Sequence, residues 1–153
     1  MTIIRQALDV SPAPLKPVRL AVERLTLAKR RWRGVAEDGA EFGFDLERPI
    51  ADGAAFHQTA DSVYVIAQKY EPVLELRIAS IRPEPVEGRI GSDAARVGWL
   101  IGNLHFQIEV LDEIIRVVDD PAVRQMFERE GIGFTSCKRV FHPISGGHSH
   151  GQH

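Results

Sequence analysis

The chain has 153 residues, 44% of them hydrophobic and 26% charged, which is enough apolar material for one compact domain or two small ones. A formal net charge of −2 supplies no overall field toward nucleic acid or an anionic membrane. Apolar runs such as residues 63–67 and 97–101 fall far short of the ~20 residues that cross a bilayer.

The first half reads as β-structure. Pro12, Pro14 and Pro17 punctuate its entry. Runs over residues 24–36 and 41–46 flank Glu37-Asp38-Gly39-Ala40, and Asp-Gly between alternating segments signals a hairpin. Phe42, Phe44 and Leu46 share one face at period two. Pro49 and Gly53 mark a turn, and Val63-Tyr64-Val65-Ile66-Ala67 alternates so little that it predicts a strand covered on both faces. No amphipathic helix is legible here. The expectation is a small β-sandwich or barrel-like domain over residues 1–71, with the boundary near Tyr70-Glu71-Pro72.

The second half changes character. A strand over residues 73–78 leads to a loop over 82–91 that holds Pro83, Pro85, Gly88 and Gly91. Ser92 or Asp93 can N-cap a helix running through Val97, Trp99, Leu100 and Ile101 toward Leu104, with Gly102-Asn103 as a natural stop. Strands over 106–110 and 113–118 surround Leu111-Asp112. Asp120-Pro121 opens a second helix that carries Val123, Met126 and Phe127 and stops at Gly131. Residues 134–141 close as a strand. The order β-α-β-β-α-β predicts a ferredoxin-like domain over residues 72–142, and the chain as a whole an α+β protein. Residues 143–153 form a Gly/Ser/His tail with nothing to bury, expected to be disordered without metal.

Candidate chemistry concentrates in histidine. His57, His105 and His142 are scattered, while His148, His150 and His153 crowd the last six residues. Neutral imidazole suits Ni²⁺, Cu²⁺ and Zn²⁺, and His-x-His on an extended chain puts both rings on one side. A solvated tail without function is the bland alternative. His105 falls where the first long helix ends; one imidazole cannot hold an ion, so it needs His57, His142, the tail or a second copy across a two-fold axis. Asp119-Asp120-Pro121 could support a cation, but helix capping by Asp120 and solvation of Asp119 explain it. Lys29-Arg30-Arg31-Trp32-Arg33 could touch nucleic acid or an acidic partner, although strand alternation turns Trp32 to the core and leaves the charges in solvent. The one cysteine, Cys137, excludes an intrachain disulfide and a Cys-based zinc motif, and reads as a buried structural thiol. No phosphate loop, Gly-x-Ser-x-Gly elbow or zincin helix is present. The N-terminus shows no signal-peptide pattern, so a cytoplasmic location is expected.

Taken in order, the motifs resemble the UreE family of urease accessory proteins. The hairpin from Arg33 through Gly39 to Leu46, followed by Arg48-Pro49, is similar to its N-terminal signature. Ile101-Gly102-Asn103-Leu104-His105-Phe106-Gln107-Ile108 resembles its Gly-Asn-Arg-His stretch, residues 119–131 its second helix, and Val140 to Pro143 with the tail its C-terminus. The resemblance implies a cytoplasmic nickel metallochaperone without catalytic activity, acting with urease and other accessory proteins. It implies a homodimer through the second domain, in which the two copies of His105 bind one Ni²⁺; Zn²⁺ or Cu²⁺ can occupy the same site. His148, His150 and His153 would add ligands, with His142 a further candidate, and the N-terminal domain would contact partners. Leu104 stands where the family has Arg, and the His pair that some members carry near residues 119–121 is missing. One interfacial ion plus weak tail binding is therefore expected. A metal-independent interaction scaffold and an RNA-contacting module are the competing readings.

Overall fold

Alternation in the first half closes two small sheets on one another. A computed structural model describes residues 1–9, 14–84 and 86–144. The chain divides into two compact units, Met1–Lys69 and Tyr70–His153.

The first unit contains β1 (Thr2–Ile4), β2 (Lys16–Val22), a helical turn α1 (Arg24–Leu27), β3 (Arg31–Val35), β4 (Glu41–Asp45), β5 (Ala55–Gln58) and β6 (Ser62–Gln68). One sheet has the order β1-β4-β3 and the other β2-β6-β5. Their inner faces share a core of Ile4, Phe42 and Phe44 with Val18, Leu20, Val22, Phe56, Tyr64 and Ile66. The expected hairpin is the β3–β4 turn, where Gly39 takes φ +90°. The Asp38 carboxylate accepts from the Ala40 N–H at 3.0 Å and from the Tyr64 hydroxyl at 2.6 Å, tying the turn to β6. β6 is the central strand of its sheet, and consecutive Val63 and Tyr64 are both buried, so each face is covered.

One expectation fails here: residues 24–36 are not a single strand. The Glu23 carbonyl accepts from the N–H groups of Thr26 and Leu27, both at 3.0 Å. That turn seats Leu27 in the core and reverses the chain before β3. Burying one Leu side chain is worth about 1.5–3 kcal/mol, more than strand propensity offers over the same few residues.

The second unit contains β7 (Glu71–Arg77), a 3₁₀ turn (Ile78–Ser80), α2 (Ile90–Asn103), β8 (Ile108–Val110), β9 (Ile114–Val118), α3 (Pro121–Glu130) and β10 (Thr135–Arg139). The sheet order is β10-β7-β9-β8, with every pair antiparallel, which is the ferredoxin-like arrangement. Leu74, Leu76, Ile115 and Val117 on one sheet face pack against Val97 and Ile101 of α2 and Val123, Met126 and Phe127 of α3. Asp120 caps α3 as expected, accepting from the Ala122 N–H at 2.8 Å, with Pro121 at the first helical position.

The start of α2 departs from expectation. The helix begins at Ile90 with no side-chain cap, and the Ser92 hydroxyl donates back to the Arg89 carbonyl at 3.0 Å. Asp93 is buried and takes the Arg82 guanidinium at 2.7 Å instead of a helix N–H. A carboxylate out of solvent gains more from a full opposite charge than from a backbone dipole.

The other sheet face carries a cluster of ion pairs beside the buried Val73. Arg116 lies opposite Glu75 on one side and Glu109 on the other, and its guanidinium donates to both carboxylates. Burial opposes ionisation of Glu75, yet Arg116, the Cys137 thiol and Arg139 together hold its carboxyl below the usual range. Burial and the Glu75 carboxylate push the Cys137 thiol up, which keeps it protonated and unreactive.

Candidate metal centre

The helix α2 is amphipathic. Asp93, Val97 and Ile101 recur at helical spacing on its buried side. The opposite side exposes Ala95, Gly102 and Trp99, the last of these 66% exposed. Ala95, Trp99 and Gly102 follow an i, i+4, i+7 pattern, so a large indole stands on one face between small neighbours. A Cβ added at Gly102 would meet nothing within 4 Å.

The end of α2 places the candidate ligand. Leu104 is the C-cap, and the next residue turns left-handed: His105 has φ +64°, the one positive φ outside glycine among the described residues. The His105 N–H donates to the Gly102 carbonyl at 2.9 Å and the Phe106 N–H to the Ile101 carbonyl at 3.3 Å. These two bonds make a Schellman motif with His105 at the position that glycine ordinarily takes. α3 ends in the same way, with Gly131 at φ +66° and the Ile132 N–H on the Phe127 carbonyl at 2.8 Å. The chain thus solves one geometric problem twice, once with glycine and once with histidine. Gly102 and Asn103, which the sequence marks as the stop, both remain helical.

The left-handed turn leaves the His105 side chain exposed. It stands at the carbonyl end of a 14-residue helix, where the dipole favours positive charge. An exposed imidazole at the negative end of a helix, flanked by open space at Gly102, can take a divalent cation.

The remaining candidates are dispersed. His57 lies on β5 in the first unit, its ring 5.4 Å from that of Phe42 and 5.5 Å from that of Tyr64. His142 is exposed, with Nδ1 3.9 Å from Glu109 Oε2, a carboxylate that no sequence motif singles out. His148, His150 and His153, with the expected disorder of their tail, lie outside the described residues. Asp119 is not left to solvent alone: Arg124 donates to its two oxygens at 2.6 and 2.7 Å, and that guanidinium holds its carboxyl below the usual range. Trp32 turns inward as expected and stacks on Phe44 at 3.7 Å. Among the described residues, no group of three or more His, Cys, Asp or Glu side chains could hold a metal ion. To hold an ion, His105 would need donors beyond the described part of one chain.

What sequence reasoning missed was the backbone at His105 and the exposed Trp99 face. A signal for the first exists: α2 has no glycine at its C′ position, whereas α3 does.

A family model described as UreE urease accessory protein, C-terminal domain, matches residues 71–153. Over its whole length the chain is similar to a urease accessory protein UreE of Pseudomonas fluorescens, 25% identical over 160 residues and covering 89% of that protein. A protein of the same name from Azorhizobium caulinodans is 28% identical over 163 residues, covering 98% of this chain and 73% of the relative. One from Brucella anthropi is 32% identical over 81 residues, half of this chain and 48% of the relative.

Proposed function

This chain belongs to the UreE family of urease accessory proteins, and on that premise we propose that it is a nickel metallochaperone that delivers Ni²⁺ to apo-urease while the enzyme's metal centre is assembled. It is an accessory protein and not itself an enzyme. The observation that carries the proposal is His105, an exposed imidazole in a left-handed position that glycine would fill at lower cost.

The proposed site is shared. Two chains related by a two-fold axis bring two copies of His105 to one ion, doubling the donor set without a second ligand in either chain. The exposed Trp99 and its small neighbours on α2 favour such a homodimer, because an unpaired indole on a smooth helix face gains from burial against a second copy.

The tail completes the donor set. Ile144, the last described residue, donates its N–H to the Ile108 carbonyl at 2.7 Å, which ties it to the start of β8. We assign His148 and His150, four and six residues beyond Ile144 in sequence, as further donors because imidazole is a good ligand for Ni²⁺. His153 would add a further donor, and His142 one nearer the anchor.

Such a site is open to solvent, which suits a protein that must give its ion away. Nickel, in preference to Cu²⁺ or Zn²⁺, rests on the family and on metal supply, since imidazole alone favours copper. The proposal also assigns partner contact to residues 1–71, metal binding and dimerisation to 72–142, and auxiliary ligation to 143–153, acting in the cytoplasm with urease and its other accessory proteins. No helix among the described residues is long and apolar enough to cross a membrane.

The alternative is a metal-independent scaffold for complex assembly, favoured by the lack of a three-donor cluster among the described residues. Calorimetric Ni²⁺ titration of the intact protein, of His105→Ala and of a chain cut after Pro143 separates the two. Binding of about half an ion per protomer that survives truncation and is lost in His105→Ala supports the shared site. Binding lost on truncation alone would make the tail the store and His105 structural. No binding to the intact chain would leave the scaffold.

A further inference from the structure

The basic run that the metal reading leaves unused lies on the outer face of the β1-β4-β3 sheet, and we infer that this face docks an acidic protein surface. Strand register sets Ile3, Gly43 and Arg33 in one row across the sheet. The next row holds Asp45 and Arg31, and the Asp45 carboxylate accepts from Arg31 at 2.8 Å and from Arg5 at 3.3 Å. Val35 sits opposite Glu41 on the same side. Trp32, Phe42 and Phe44 alternate with these residues and face the core.

The middle of this face is apolar and shallow. Gly43 contributes no side chain, and a Cβ there would lie 2.9 Å from Ile3 Cδ1, so the isoleucine occupies the space over the central strand. Ile3 is 48% and Val35 58% exposed. Around them stand Arg5, Arg31 and Arg33, with exposed Lys29 and Arg30 just before β3. Two of the arginines share Asp45, while Arg33, Lys29 and Arg30 have no ion pair with any described residue. Cations therefore outnumber carboxylates, and the complementary surface carries carboxylates around an aliphatic centre.

The same geometry disfavours RNA. Single strands bind largely by stacking bases on exposed rings. The ring of this run, Trp32, is already stacked on Phe44 inside, and this face presents aliphatic side chains at its centre instead.

The inference sharpens the partner role proposed for residues 1–71 and involves no metal, so it can fail while the nickel reading stands, or the reverse. The test is fluorescence anisotropy on the intact, nickel-free protein. The probes are a labelled peptide alternating Glu with Leu, its counterpart with Lys for Glu, and oligouridylate. The expected result is binding of the acidic peptide alone, weakening with added salt, with Arg33→Glu reducing affinity roughly tenfold and Arg33→Gln by less. Ile3→Ser should weaken binding without changing the salt slope, and Arg129→Glu, on the other unit, should leave it unchanged. Equal binding of the lysine peptide, no binding of the acidic one, or full affinity in Arg33→Glu would overturn the inference. Preference for oligouridylate would assign the face to RNA instead.

Discussion

Replacing His105 by glycine should make the metal-free protein more stable while removing its nickel binding. At φ +64° the backbone of His105 is in a region that costs an ordinary L-residue about 1–2 kcal/mol and glycine essentially nothing. Against this, glycine surrenders more backbone freedom on folding, roughly 0.5–1 kcal/mol. Little packing is lost, because the side chain is exposed. The balance is a gain of about 0.5–1 kcal/mol, or a rise in Tm of about 1–4 °C for a protein of this size. His105→Ala is the control: it keeps the Cβ, and with it the strain, so its stability should stay within about 0.5 kcal/mol of wild type. Both variants should lose the same metal. Urea unfolding followed by circular dichroism, beside calorimetric nickel titration, measures both quantities. If His105→Gly is no more stable than His105→Ala, the strained-turn argument is wrong; if either binds nickel as wild type does, the site is elsewhere.

The converse substitution Gly131→Ala, at the matching turn of α3, should destabilise by about 1 kcal/mol in the same urea experiment, having no function to gain. Arg116→Met should cost roughly 2–3 kcal/mol, since it leaves Glu75 with only the half-exposed Arg139 and Glu109 with only His142 nearby on a largely covered sheet face. Combining it with Glu75→Gln and Glu109→Gln should recover part of that loss in the same melts. The lowered carboxyl pKa values of Glu75 and Asp119 give stability that is complete above the ordinary carboxylate range near about pH 4 and is lost as pH falls through the lower folded values. Unfolding free energy should therefore be flat on their account from neutral pH down to about pH 5 and then fall, less steeply in Asp119→Asn. If the proposed homodimer forms through α2, Trp99→Asp should convert it to monomer in sedimentation velocity with an unchanged fold by circular dichroism; a dimer that persists would place the two-fold contact off this face of α2.

Much of the fold was legible because it rests on local rules. Asp38-Gly39 specified the β3–β4 hairpin, and period-two Phe42, Phe44 and Leu46 identified the inner face. Asp120-Pro121 and Gly131 delimited α3 through caps whose chemistry is written in single residues. His105 could be named as a candidate from its residue type and the motif around it. Only the tertiary structure decided its conformation, because Gly102 and Asn103 could each have taken the left-handed turn. Ile101 must bury on the core side of α2, and a turn at Gly102 would end the helix before the Leu104 cap that aligns Phe106 with the core. Asp93 and Asp119 were misread for a related reason: their partners, Arg82 and Arg124, lie 11 and 5 residues away, and only folding brings those charges into reach. Sequence thus determined most of the elements and the candidate donor residues, which depend on neighbours along the chain. Tertiary structure decided which charges pair, which turn carries the strain, and how His105 meets solvent, since these are settled by burial between elements.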